Sequence, residues 1–292
     1  MKSTAEKPIA FFEYLLSDRG FKNVLDNRLH LQYEKILKVD FDNSMISGVE
    51  KDVQGNYDQY DYTFKEFLIP TLRQEFDKSK TFLYRFCIDN PETENFLNIQ
   101  FRIIQNAVVV NKELVNLHPF LLLPIKGLVN YMNSILLPAK ATKFALDLSQ
   151  IDNSSAKVNK ETSEFESTEE IIINVLGYLG GQNEKREQIL SNADFQLLMD
   201  YTRELVEKEG NVQAIPKKLK PNVSAELLRF TYWVLHKRLY TTKKIHIHFI
   251  DFLKTVFVNF ENTEKKTLQK NFAKKNAISR DQFIGDSVKK YL

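Results

Sequence analysis

The sequence predicts an all-α fold of two helical domains joined by a polar linker, the second ending in a helix-turn-helix-like unit. Three observations predict it. Gly (9) and Pro (8) are scarce in 292 residues, so little interrupts helical runs. Apolar side chains recur at three-and-four spacing over most of the chain, the period of an amphipathic helix. The stretch Ser149 to Glu164 is rich in Ser, Asn and charge and lacks any apolar period, which is linker composition. The expected boundaries are 1–148 for an acidic N-terminal domain, 149–166 for a flexible linker and 167–292 for a basic C-terminal domain.

In the first domain, helical patterns run over Ile9–Leu16, Leu29–Val39, Phe64–Asp77, Lys80–Ile88, Glu92–Leu117 and Leu121–Leu137. Phe64, Phe67, Leu68, Leu72 and Phe76 make one stripe, and Pro70 is expected to kink or restart that helix. Between Asp40 and Tyr62 the helical period disappears, and Asp40, Asp42, Asp52, Asp58 and Asp61 gather with Tyr57, Tyr60 and Tyr62. A solvated acidic loop is the expectation, because the spacing does not fit a calcium loop. The turn-forming pair Gly55-Asn56 leaves room for a small two-stranded hairpin. Leu114 to Pro138 carries little charge, but Pro119, Pro124 and Gly127 break it, so two buried helices are expected and not a membrane span.

The second domain begins with sharper signals. Ser167 with Glu170 forms a capping-box pattern ahead of Ile171, Ile172, Val175, Leu176 and Leu179, and Gly180-Gly181 closes that helix. Ser191 and Asp194 start another helix that runs toward Gly210. The connector Ile215 to Asn222 is basic and holds two prolines, so it cannot be helical throughout. Three helices follow. The first buries Val223, Leu227, Phe230, Val234, Leu235 and Leu239, with Lys237 and Arg238 near its negative C-terminal end. The second presents Ile245, Phe249, Phe252, Leu253, Val256, Phe257 and Phe260 on one face. After a short Glu261-Asn262-Thr263 turn, the third, with Thr263 as its expected cap, carries Leu268 and Phe272 as its only large apolar anchors.

The charge is unevenly divided. Lys217 to Leu292 holds 17 Lys and Arg against 6 Asp and Glu, a net of +11, whereas the remaining 216 residues net −8. Such asymmetry points to a nucleic-acid or other anionic contact. A long helix, a turn and a short basic helix with two anchors is the plan of a helix-turn-helix. Lys265, Lys266, Gln269, Lys270, Asn271, Lys274 and Lys275 are therefore the candidate nucleic-acid-binding residues, lysines for phosphates and the amides for adenine edges. Phe257, Phe260, Leu268 and Phe272 are expected to hold that helix in place. A solvated basic face, or a contact with an acidic protein surface, uses the same residue types.

The runs Leu228-Arg229-Phe230-Thr231-Tyr232-Trp233-Val234-Leu235-His236-Lys237-Arg238-Leu239-Tyr240, Phe249-Ile250-Asp251-Phe252-Leu253 and Lys266-Thr267-Leu268-Gln269-Lys270-Asn271-Phe272 resemble the C-terminal part of RteC-type helical regulators of bacterial mobile elements. The resemblance spans the last third of the chain. It implies transcriptional or excision control through a C-terminal DNA-binding module.

Other classes are disfavoured. Cys87 is the single cysteine, so an intrachain disulfide and a multi-cysteine zinc site are both excluded. The first residues carry no signal-peptide pattern, and a cytoplasmic protein is expected. No nucleophile elbow, zincin helix, phosphate loop or dinucleotide fingerprint occurs, so no enzymatic activity and no cofactor are expected. His246 and His248 look like a metal pair, but two positions apart on a helix point about 200° apart; only a strand would put them on one face. The function expected is a DNA-binding regulator of transcription or of a mobile element, with double-stranded DNA as its partner and a protein partner or homodimer contact through the first domain. The alternative is a helical interaction or scaffold component of a bacterial defence or mobile-element system.

Overall fold

The computed structural model describes residues 2–51, 56–89, 92–136, 144–149, 151, 165–208, 215–240, 245–275, 278 and 283–292. The chain divides into two compact units, Met1–Ser167 and Thr168–Leu292. Most of the expected linker lies outside the described residues. Its last part is packed within the first unit, where Phe165 meets Phe76 edge to face and the Glu166 carbonyl accepts from Arg73 Nε at 3.2 Å.

The first unit is not all-helical. After α1 (Ala10–Leu15) and α2 (Asp18–Gln32), a three-stranded antiparallel sheet follows in the order β1 (Lys35–Asp40), β2 (Met45–Lys51), β3 (Tyr57–Thr63). The all-α expectation is therefore corrected to a mixed fold. The expected Leu29–Val39 helix is overturned: it is the end of α2 followed by β1. The expected acidic loop is largely strand, with residues 52–55 outside the described set. The physical reason is a period of two. Ile46, Gly48 and Glu50 face inward on β2, opposite Tyr62, Tyr60 and Asp58 on β3. Buried Tyr62 anchors the edge strand to Tyr33 and Phe67, and that packing outweighs the low strand propensity of the aspartates. Gly48 is required there, because a Cβ at this position would sit 2.3 Å from the Tyr33 ring.

From β3 the chain enters α3 (Phe64–Asp89) directly. Thr63 Oγ1 accepts from the Glu66 backbone N–H at 3.1 Å, and the Glu66 carboxylate accepts from the Thr63 N–H and hydroxyl at 3.0 Å each, a reciprocal cap. Pro70 lies inside this single helix, so the helix does not restart there. It falls in the second turn, where its missing N–H removes only one intrahelical bond. The helices α4 (Thr93–Val110), α5 (Lys112–Leu117) and α6 (Leu122–Ile135) complete the unit, with α6 against α3. The core runs through Phe12, Phe21, Phe64, Phe67, Leu72, Ile104, Ile125 and Leu128. His118 is buried in it, stacked on Phe21 with ring centroids 4.6 Å apart, and burial lowers its pKa. Among the described residues, no helix is long and apolar enough to cross a membrane.

The second unit comprises α7 (Thr168–Leu176), α8 (Asn192–Glu207), α9 (Ala225–Tyr240), α10 (Ile247–Val256), α11 (Lys265–Asn271) and α12 (Asp286–Lys289). Ser191 caps α8, its side chain accepting from the Asp194 N–H. The helix α9 is buried nearly all round, from Leu227 through Leu239, as expected of a central helix. Two hydroxyl pairs satisfy Thr231 and Tyr232 on this helix, Tyr178–Thr231 at 2.7 Å and Thr202–Tyr232 at 3.0 Å.

Candidate nucleic-acid interface

The α10–α11 region departs from the expected turn. The apolar face that suggested one helix to Phe260 ends at Val256. Phe257 is extended (φ −111°, ψ 129°), and Val258–Phe260 form a 3-10 turn. The connection to α11 thus spans residues 257–264, longer than the three- or four-residue turn of a helix-turn-helix. Phe257 is extended because it bridges the basic connector: Leu219 N–H donates to the Val256 carbonyl at 2.7 Å, and Val258 N–H donates to the Leu219 carbonyl at 3.0 Å. Thr263 does not cap α11, since the N-cap is Glu264, which makes no side-chain cap bond. The Thr263 carbonyl accepts instead from Lys254 Nζ.

The helix α11 has 7 residues, about 10 Å of rise. Phe257, Phe260, Leu268 and Phe272 are all buried in one core with α9 and α10. With Leu268 pointing inward, about 100° per residue puts Lys266 and Lys270 on the opposite side, with Gln269 on its flank. Both lysines are exposed, and neither has an ion-pair partner among the described residues. Gln269 and Asn271 are half-buried.

The other candidates are engaged elsewhere. Lys265 pairs with Asp251 of α10 at 2.6 Å, and Lys275 Nζ donates to the Tyr291 and Leu292 oxygens at 3.1 and 3.3 Å. Lys274 follows the helix and is exposed. Its carbonyl accepts from Arg229 Nη2 at 2.8 Å. Arg229 is buried on α9, and burial lowers its pKa against the charge of Glu226. The arginine ties the end of α11 to the central helix.

Beside α11, the end of α9 and the start of α10 bring three histidines together. His236 is buried, and its Nε2 accepts from the His246 backbone N–H at 3.1 Å. The His246 ring lies 5.1 Å from His236 and 5.3 Å from His248. The helical angle does not apply to the 246–248 pair, because His246 is the N-cap, outside the helix (φ −70°, ψ 114°). No group of three or more His, Cys, Asp and Glu among the described residues could hold a metal ion. Burial first, then the neighbouring His246, His248 and Lys237, lower the His236 pKa to about 3.

One basic feature was not singled out from the sequence. A hairpin closes by a Gln182–Gln188 bridge, and Asn183 organises it: Asn183 Oδ1 accepts from the Lys185 and Glu187 N–H groups at 2.9 and 3.0 Å. Arg186 at its tip has φ 63°. The sequence signal was there, an Asn two residues ahead of a charged pair, but it lacked the Gly that usually marks such a turn. Set against protein-family models, curated proteins and solved structures, the chain matches none.

Proposed function

We propose that the second unit binds double-stranded DNA through the outer face of α11, as a cytoplasmic regulator of transcription or of a mobile element. One observation carries the reading. Lys266 and Lys270 stand one turn apart, exposed and without ion-pair partners among the described residues, over the buried anchors Leu268 and Phe272. Lys to phosphate and Gln269 to a base edge is the division of labour such a face supplies. The net +11 of Lys217 to Leu292 supports it by drawing a polyanion toward this unit. Lys265 and Lys275, held by Asp251 and the chain's last carbonyls, serve position more than contact.

The test is fluorescence anisotropy of a labelled mixed-sequence duplex with the full chain, at low and physiological salt. Binding that weakens steeply with salt is expected, and Lys266→Glu with Lys270→Glu should abolish it with the helical circular dichroism unchanged. Undiminished binding by that variant removes α11 from the mechanism.

A second reading concerns the first unit, where Tyr84, Ile88, Ile99, Val110 and Leu117 are exposed on α3, α4 and α5. This favours a protein contact there, alongside DNA binding or in place of it.

A further inference from the structure

The connector and the hairpin before α8 belong to the same end of the second unit as the entry to α11. Lys218 pairs with Glu261, in the turn before α11, at 2.8 Å. Leu219 is bridged to Phe257. Asn222, at the connector's end, donates its backbone N–H to the Ile189 carbonyl at 2.9 Å and its side-chain amide to Glu187 at 2.9 Å. Asn183 also donates to Glu187, at 3.1 Å, and to the Asn222 carbonyl, at 3.3 Å. Hairpin, connector and α11 entry are thus linked by consecutive hydrogen bonds, backbone bridges and an ion pair.

Within that frame the hairpin sorts its charges. The Glu187 carboxylate is turned toward the connector, and the amides of Asn183 and Asn222, with Lys185 nearby, hold its pKa below the usual range. Glu184 is engaged as well. Lys185 and Arg186 are exposed at the tip, and neither forms an ion pair among the described residues. The left-handed backbone of Arg186 is costly for a residue that is not Gly, and it persists because Asn183 fixes the loop: the Arg186 N–H donates to the Asn183 carbonyl at 2.9 Å. A loop held by its own hydrogen bonds that displays two cations, and is bonded to the connector that carries the exposed Lys220, suits a phosphate backbone, which rewards pre-placed point charges and forked donors without reading bases.

We propose that the hairpin Gln182–Gln188 is a second phosphate-contacting arm, which engages the backbone of the same duplex whose groove α11 enters. The inference rests on the DNA reading of α11. Because the contact is to phosphates, it adds affinity equally for all sequences and steepens the salt dependence.

The experiment compares the full chain with Lys185→Gln plus Arg186→Asn in duplex anisotropy over a series of salt concentrations. Asn tolerates the left-handed backbone, and the Asn183 bonds use main-chain groups, so the loop is retained. The expected result is a slope of log affinity against log salt shallower by about 2, near 0.9 per lost cation, with the same fold-loss on unrelated duplexes. An unchanged slope, with Lys266→Glu and Lys270→Glu still abolishing binding, overturns the arm and leaves the α11 reading standing. No binding by the unaltered chain overturns both.

Discussion

Lowering the pH from 7 to 5 should destabilise the second unit through His236. Its ring is 3% exposed, its Nε2 accepts the His246 N–H, and the charged groups facing it are the basic His246, His248 and Lys237. The folded pKa is lowered to about 3 from 6.5. A depressed histidine pKa means that the unfolded chain takes up the proton first. The contribution of the neutral ring is therefore present above pH 6.5 and is lost as the pH falls toward 3. At pH 5 the loss comes to about 2 kcal/mol, and the full shift corresponds to about 5 kcal/mol. The only tryptophan, Trp233, lies in α9 and stacks on Phe230, so its fluorescence follows this unit alone during urea unfolding. His236→Gln keeps an acceptor for the His246 N–H and cannot titrate. Between pH 7 and 5 the unaltered protein should lose about 2 kcal/mol more than the variant, carboxylate effects cancelling in the difference. Parallel stability profiles for the two proteins would refute the reasoning.

Two further predictions concern the first unit. Gly48→Ala places a methyl 2.3 Å from the Tyr33 ring, which is itself stacked on Phe67, and should destabilise the unit by about 1–3 kcal/mol; an unmoved transition in urea, followed by tyrosine fluorescence, would mean that the ring yields freely. Thr63→Ala removes one half of the reciprocal cap at the start of α3 and should cost about 1 kcal/mol, whereas Thr63→Ser should restore most of it; equal thermal midpoints for the two variants would show that the cap contributes nothing.

Legibility followed the period of the apolar residues. Phe64 to Phe76 and Leu227 to Leu239 repeat at helical spacing, and both lie in helices. Only a small hairpin about Gly55-Asn56 was legible in the sheet, because the inward positions of β2 include Gly48 and Glu50, residues depleted from strands, so the alternation was not visible as hydrophobicity. Helix α2 was overlooked at its start, although Ser17 caps it by accepting from the Gly20 N–H at 3.1 Å and Phe21, Leu25 and Leu29 make its buried stripe. At α11 the residue types were readable but their division was not. Which lysines face outward depends on Asp251, Tyr291 and Leu292, each distant in sequence or fixed only by the fold.

The bridge between Leu219 and Phe257 also sets how this unit can be cut. A fragment begun at Asn222, where three clean helices start in the sequence, would leave the Val256 carbonyl and the Val258 N–H without their main-chain partners. It would also expose Phe257, which is fully buried, at the doorstep of α11. The shortest piece that preserves α11 as it stands therefore has to begin upstream of Lys218, and the connector is better regarded as a short sheet-like seam than as a tether.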